Sequence, residues 1–320
     1  MSESPFFHPH SLVEPGATVG AGSRVWAFAH VLPRAVIGEN CNICDHVFIE
    51  NDVRIGNNVT IKCGVQIWDG ITIEDNAFIG PNVTFTNDAF PRSKEYPEKF
   101  LRTLIRERAS IGANATILPG LTVGRNAMIG SGSVVTRDVP PNAMVMGNPA
   151  QITGYVGNLS YTNLRKEKKS TEAPPSLAPL SVPTCSIPGV SVLQMPVLTD
   201  LRGSLSFGEY NRHLPFEVQR FFVIYDVPSR EVRGEHAHKT LHQVLVCLKG
   251  SCSIVLDNGS LRDELDLNTP AIGLHLPPMV WAIQYRFTQD AVLLVLASDK
   301  YDADDYIRDY DTFLSMIRGA

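Results

Sequence analysis

The chain predicts an all-β protein in two parts: a prismatic solenoid of short strands, then a closed barrel or jelly roll. Three observations carry this prediction. An aliphatic residue returns every six positions through the first half, a Pro- and Lys-rich stretch interrupts the middle, and strand-length β-rich runs separated by turn residues fill the remainder. The length agrees, because 320 residues with 44% hydrophobic content exceed the ~250 to 300 residues at which single cores stop growing.

The six-residue period runs Val13, Val19, Val25, Val31, Ile37, Ile43, Ile49, Ile55, Ile61, Ile67, Ile73, Ile79 and Phe85, and restarts out of phase at Ile105, Ile111, Ile117, Val123, Ile129 and Val135. Four residues after most of these comes a second small or aliphatic side chain, such as Ala29, Ala35, Cys41, Val47, Val53, Val59, Ala109 or Ala115. A helix repeats its apolar stripe at 3.6 residues and a hairpin sheet alternates strictly, so the period fits neither. Short flat strands joined by corners do fit. Gly20, Gly38, Gly56, Gly80, Gly112, Gly124 and Gly130 stand beside the inward aliphatics, with Asn40, Asn58, Asn76, Asn82, Asn114 and Asn126 nearby. Both types tolerate positive φ.

Residues 10 to 156 resemble the hexapeptide-repeat acyltransferases, left-handed parallel β-helix enzymes that use acyl-CoA. The resemblance implies the left-handed coil, a trimer with active sites between subunits, and a loop extruded beside each site. Residues 86 to 104, with TNDAFPRSKEYPEKF, break the period where such a loop is expected. The stretch from Trp68 to Lys94 is similar to the subgroup that N-acetylates amino sugars on nucleoside diphosphate carriers. Asn87 and Asp88 are then candidates for holding the sugar amine, which must lose a proton to attack a thioester; the same pair also suits an Asx turn at the loop entrance. His30 and His46, in the regular coils, are alternative bases. VVTRDVPPNAMVMGNPA, from Val134 to Ala150, resembles the last coil and the CoA-facing exit, which makes Gly130, Gly147, Asn148 and Pro149 candidates for contacting acetyl-CoA. Gln151 stands where the family usually carries a basic residue that meets the CoA phosphate.

Residues 1–157 are therefore assigned to an N-acetyltransferase domain, 158–188 to a linker and 189–320 to a second domain. The linker carries Arg165, Lys166, Lys168, Lys169 and several prolines, a composition that reads as an extended spacer. Beyond it, PFEVQRFFVIYDVP, HQVLVCLKGSCSIVLDNGS, LDLNTPAIGLHLPPMVWAIQYRF and AVLLVLAS read as strands, with Lys249-Gly250 and Asp257-Asn258-Gly259 as turns. Tyr301 to Ile317 is expected to form a short helix on the outside.

The chemistry of this domain centres on Arg233-Gly234-Glu235-His236-Ala237-His238. On a strand, residues two apart share a face, so both imidazoles point into the barrel. H-x-H also opens the metal motif of cupins, which continues with a Glu and a distant His. Here those slots hold His242 or Gln243 and the PPMVW run, so the ligand set is incomplete and no metal is expected, although His242 and His275 remain as rescuing ligands. Without a metal, paired imidazoles suit proton transfer near neutral pH; hydrogen-bonded core histidines are the plainer reading.

Residues 192 to 317 resemble the dTDP-sugar 3,4-ketoisomerases, metal-free cupins, through DLRGSL, PFEVQRFFVIYDVP, RGEHAHK, QVLVCLKGS and YDADDYIRDYDTF. The resemblance implies migration of a C4 ketone to C3 of a 6-deoxy sugar through an enediol. His238 is then the principal base, His236 its partner in the shuttle, and Tyr225 a group that positions sugar oxygens or relays a proton. Arg202, Arg220 and Arg233 are candidates for the diphosphate or the enediolate, with Arg220 equally readable as a surface strand residue.

A formal net charge of -5 supplies no basic surplus for nucleic acid. No apolar run approaches the ~18 residues of a membrane span, and Met1 to His10 lacks the pattern of a signal peptide, so a cytoplasmic protein with reduced thiols is expected. The expected activity is bifunctional: a 3,4-ketoisomerase and an acetyl-CoA-dependent N-acetyltransferase acting on dTDP-sugars. The expected assembly is a trimer, or a hexamer if cupin dimers join trimers. A non-catalytic nucleotide-sugar-binding scaffold, or a chain with one active domain, stays open.

Overall fold

A computed structural model of the chain describes residues 4–157, 184–228 and 231–319. Backbone contacts divide it into two units, residues 1–156 and 157–320. The basic cluster of the expected linker lies outside the described residues.

The first unit is a parallel β-solenoid with three faces, built from sheets of nine, seven and six strands. Strands eighteen residues apart stack in register, as in Ile43↔Ile61 and Ile61↔Ile79. Each coil therefore consumes three six-residue steps, and every sixth aliphatic meets its equivalent one coil away. From Val25 to Ile79 these side chains are almost completely buried, and so are the second-row residues Ala29, Ala35, Cys41, Val47, Val53 and Val59. The break in period is an insertion: Ile73 pairs with Ile105 and Thr84 with Thr116, leaving residues 86–102 outside the coil. Antiparallel pairing of Ala143–Met146 with Gln151–Tyr155 closes the stack.

The corners correct one expectation. Asn40, Asn58, Asn76, Asn82, Asn114 and Asn126 all have positive φ, between 54° and 61°, as predicted. Gly38 and its equivalents do not. A Cβ on Gly38 would lie 2.5 Å from the carbonyl oxygen of Gly56 in the next coil, so glycine is required there by close approach of backbones rather than by φ.

The second unit is a two-sheet antiparallel barrel. Its strands are β1 (Ser191–Gln194), β2 (Val197–Asp200), β3 (Gly203–Ser206), β4 (Arg220–Tyr225), β5 (Arg233–His238), β6 (Gln243–Lys249), β7 (Cys252–Asp257), β8 (Arg262–Leu267), β9 (Ile272–Leu276), β10 (Trp281–Tyr285), β11 (Val292–Ala297) and β12 (Tyr306–Ile307). One sheet has the order β1-β9-β6-β11-β4 and the other β8-β7-β10-β5-β12, with β2–β3 a separate hairpin. Leu245, Cys247, Ile254, Leu256, Leu274, Leu293 and Val295 fill the space between them. Val244 and Val246 belong to a second cluster with Met195 and Leu214, on the outer side of β6.

The C-terminal segment departs from the expected single helix. Ala303–Asp305 is a 3₁₀ turn, β12 follows, and only α1 (Tyr310–Arg318) is α-helical. Asp309 caps α1 by accepting the Thr312 N–H at 2.7 Å, and Tyr310 and Phe313 bury against Trp281. All six cysteines are free thiols. No helix among the described residues is long and apolar enough to cross a membrane.

Candidate active sites

In the barrel, β5 carries a bulge between Gly234 and His236. Gly234 and Glu235 both take positive φ, and a Cβ on Gly234 would meet the Ala282 carbonyl at 2.6 Å. Beyond the bulge, alternation resumes and sends both imidazoles to one pocket, lined also by Leu241, Gln243, Leu276, Val280, Ala282 and Gln284. The rings meet edge to face, 5.0 Å apart.

Hydrogen bonds fix both tautomers. His238 Nδ1 contacts Asp305 Oδ2 at 2.8 Å, and that carboxylate can only accept. Nδ1 therefore donates, leaving Nε2 with its lone pair, 3.3 Å from the Gln243 amide nitrogen. His236 Nδ1 donates likewise to the Gly234 carbonyl at 2.9 Å, freeing its own Nε2. Burial pushes His238 down to about 4, against the opposing pull of Asp305 and with the neighbouring His236 adding to the depression; burial also lowers His236. Asp305 loses solvent as well, yet hydrogen bonds from Thr240 and His238 hold it below the usual carboxylate range. At neutral pH the pair is a carboxylate beside a neutral imidazole, an arrangement that presets a general base.

The sequence reading missed the residues that β12 delivers. Pairing of His238 with Tyr306 brings Asp305 onto the imidazole and sets the Tyr306 ring 4.3 Å from His238 and 5.0 Å from His236. Arg308 stacks on that ring at 4.2 Å. Two caps in YDADDYIRD, at Asp302 and Asp309, were the available signal that the run is broken rather than one helix.

The other barrel candidates separate. Arg220 shares the inward face of β4 with Phe222 and Ile224, and its guanidinium lies 5.5 Å from the rings of both Phe222 and Tyr301. Its Nε and Nη2 are buried without a hydrogen-bond partner. Tyr225 is the correction: it is 62% exposed on the opposite face of β4, beside Phe221 and Val223, and is turned away from the imidazoles. Arg202 sits at the turn of the β2–β3 hairpin, bound to the Asp200 carboxylate at 2.6 Å with its side chain exposed. Arg233 is exposed at the start of β5. His275 pairs with Val244 on the outer face of the sheet and contacts His242 at 3.0 Å, so those two cannot complete a ligand set with His236 and His238. Among the described residues there is no group of three or more His, Cys, Asp or Glu placed to hold a metal ion.

In the solenoid, Asn87 and Leu101 close the neck of the inserted loop, the Leu101 N–H donating to the Asn87 carbonyl at 3.3 Å. The Asn87 Nδ2 donates to the Asp69 carbonyl at 3.2 Å, and Oδ1 is the acceptor that the side chain has left. Asp88 Oδ1 accepts the Phe90 N–H at 2.8 Å, the Asx turn weighed from sequence. Asp69 N–H in turn binds Glu50 at 2.7 Å, and Asp52 pairs with Arg102 at 2.8 Å. His30 binds Glu14 at 2.7 Å; Phe48, Gln66 and Thr84 follow it up the sheet, three strand spacings or about 14 Å from the loop root. His46 is an exposed corner residue stacked on Phe28 at 5.0 Å. Neither histidine reaches Asn87 within one chain.

At the last coil, Gly147 has φ 101° and precedes the cis Asn148-Pro149 bond. The Gly130 N–H is committed to the Val145 carbonyl and the Gly147 N–H to Ser133 Oγ at 3.2 Å. These two main-chain N–H groups already have acceptors within the coil.

The fold and the comparisons together define a two-domain enzyme, a hexapeptide-repeat transferase module followed by a cupin-type isomerase module. Residues 188–318 match the family described as FdtA: WxcM-like, C-terminal, and residues 16–51, 52–87 and 102–137 match bacterial transferase hexapeptide repeats. The TDP-4-oxo-6-deoxy-alpha-D-glucose-3,4-oxoisomerase of Aneurinibacillus thermoaerophilus is 48% identical over 126 residues, covering 39% of this chain and 91% of that protein. The dTDP-3-amino-3,6-dideoxy-alpha-D-galactopyranose 3-N-acetyltransferase of the same organism is 62% identical over 155 residues, covering 48% of this chain and 80% of that protein. A solved 3,4-ketoisomerase from Helicobacter canadensis is 44% identical, covers 41% of this chain and 98% of its own, and superposes with a TM-score of 0.40. The chain belongs to the bacterial hexapeptide transferases in its N-terminal half and to the WxcM-like FdtA family in its C-terminal half.

Proposed function

We propose that the barrel converts a dTDP-4-keto-6-deoxyhexose to its 3-keto isomer, and that the solenoid transfers acetyl from acetyl-CoA to the 3-amino group of a dTDP-3-amino-3,6-dideoxyhexose. The single observation that carries the first assignment is the Asp305–His238 hydrogen bond, which aims an unprotonated Nε2 into the pocket. The named relatives support both substrates.

The C4 carbonyl acidifies the C3 proton. His238 Nε2 takes that proton, the C–H electron pair becomes the C3–C4 double bond, and the carbonyl π pair moves onto O4. Asp305 stabilises the imidazolium so formed. A proton passes from O3 to O4, and His238, with His236 as relay, returns a proton to C4, leaving the ketone at C3. Arg202 and Arg233, exposed in one chain, are the candidates for the diphosphate.

In the solenoid, Asn87 Oδ1 and the Asp88 carboxylate hold the acceptor amine. The deprotonated amine adds to the thioester carbonyl, and the tetrahedral intermediate expels the CoA thiolate, which takes up a proton. Asn148 and Pro149 at the last coil are the candidate contacts to CoA. A trimer assembled through the solenoids, with hexamers through barrel pairs, in the cytoplasm, completes the reading. The test is direct: dTDP-4-keto-6-deoxyglucose followed by NMR for the 3-keto product, and acetyl-CoA with a dTDP-3-amino sugar followed for thiol release. An unchanged keto sugar sinks the first assignment, and absence of thiol release sinks the second.

A further inference from the structure

Arg220 is the one cation of the barrel interior whose hydrogen-bonding edge is left open among the described residues. Its Nε and Nη2, the two orphaned atoms, form one edge of the guanidinium, with their N–H bonds parallel and spaced to bind two neighbouring oxygens. Two buried N–H donors without acceptors cost stability, a cost that an anion bound between them would remove. The β-register says where that anion sits. Arg220 on β4 pairs with Ala297 on β11, and Ala297 pairs with Gln243 on β6. The three residues form one row, and Gln243, at its far end, touches His238 Nε2. Only a methyl group stands in the middle of the row, and the strands that carry Arg220 and Gln243 lie two strand spacings, about 10 Å, apart. Tyr301 and Phe222 flank the arginine and keep it from folding away.

We infer that Arg220 is the electrostatic catalyst of the isomerase, its Nε/Nη2 fork gripping the two vicinal oxygens of the cis-enediolate formed at C3 and C4, rather than a clamp on the diphosphate. This rests on the ketoisomerase reading above. When His238 removes the C3 proton, negative charge appears on O4. Exchange of the O3 proton moves it to O3, and protonation of C4 discharges it. Both oxygens lie on one side of a planar C=C unit, matching the two donors, and the fork need not move between the steps. A lysine offers a point charge without the paired donors.

The test uses the full chain with Arg220→Met and Arg220→Lys. Both variants should lose 100-fold or more in kcat for isomerisation, the usual effect of removing an oxyanion donor. Affinity for dTDP alone, read by calorimetry, should stay within threefold, and acetyl transfer should be unchanged. Arg220→Met should unfold at a temperature no lower than wild type, since it removes two buried donors that have no acceptor; a purely structural arginine would give a drop. A kcat within threefold of wild type, or dTDP affinity falling in step with kcat, overturns the assignment. Wild type that leaves the keto sugar unchanged instead sinks the underlying ketoisomerase reading, and this inference with it.

Discussion

At the residue scale, the proposed base depends on one carboxylate. Asp305 fixes the His238 tautomer and is itself held by the Thr240 N–H and hydroxyl at 2.8 Å. Asp305→Asn keeps the shape but lets the amide donate to Nδ1, which moves the ring proton to Nε2 and blocks the base. Isomerase kcat should fall roughly 10²- to 10⁴-fold, read by initial rates with acetyl transfer as the internal control. The same burial sets a pH dependence. His238 and His275 are each pushed down to about 4, so between pH 6.5 and about 4 the unfolded chain binds protons that the folded chain does not. Stability must therefore fall as pH drops through that window, by about 2 kcal/mol for each imidazole after discounting for solvent screening. Thermal unfolding at pH 7.5, 6 and 4.5 measures it, and a flat profile contradicts the burial argument. Of the site, the H-x-H pair was legible because two residues on one strand share a face. Asp305 was not, because it joins His238 across 67 residues through a two-residue strand that local pattern cannot register. Tyr225 was misplaced for a related reason: RFFVIY is apolar on both faces, so its alternation does not say which side is the interior.

At the element scale, the coil is specified redundantly and the glycines mark where it is least forgiving. Gly38→Ala forces a methyl onto the Gly56 carbonyl and should destabilise the solenoid by about 1 to 3 kcal/mol. Gly132, at φ 69° with open space around its missing Cβ, should accept Asn with little loss, because Asn already serves at the equivalent corners. Differential scanning calorimetry of the two variants separates a spatial from a conformational demand, and equal losses contradict the distinction. The hexad was readable because a single aliphatic per six residues stacks on itself coil after coil. Why each glycine is needed was not, since that depends on the next coil's backbone. The inserted loop was visible as a loss of phase, whereas the hydrogen bonds that tie its neck at Asn87 and Leu101 belong to the folded coil alone.

At the scale of the whole molecule, each half matches a separate relative over most of that relative's length. The two chemistries are therefore separable. On the proposed reading they are not consecutive either: the barrel would yield a ketone and the solenoid consume an amine, so an amination must stand between them. Because the hydrogen bonds of His238 lie within the barrel, His238→Asn should leave thiol release from acetyl-CoA at the wild-type rate.

In the proposed reaction a neutral imidazole, aligned by a carboxylate, carries a carbon-bound proton through solvent-exchangeable positions. Running the isomerisation in deuterated water with wild type and His238→Asn measures this most directly. The expected result is a solvent deuteron at C4 of the wild-type 3-keto product and loss of both labelling and turnover in the variant. A product formed at full rate without deuterium, or labelling that survives in His238→Asn, would contradict it.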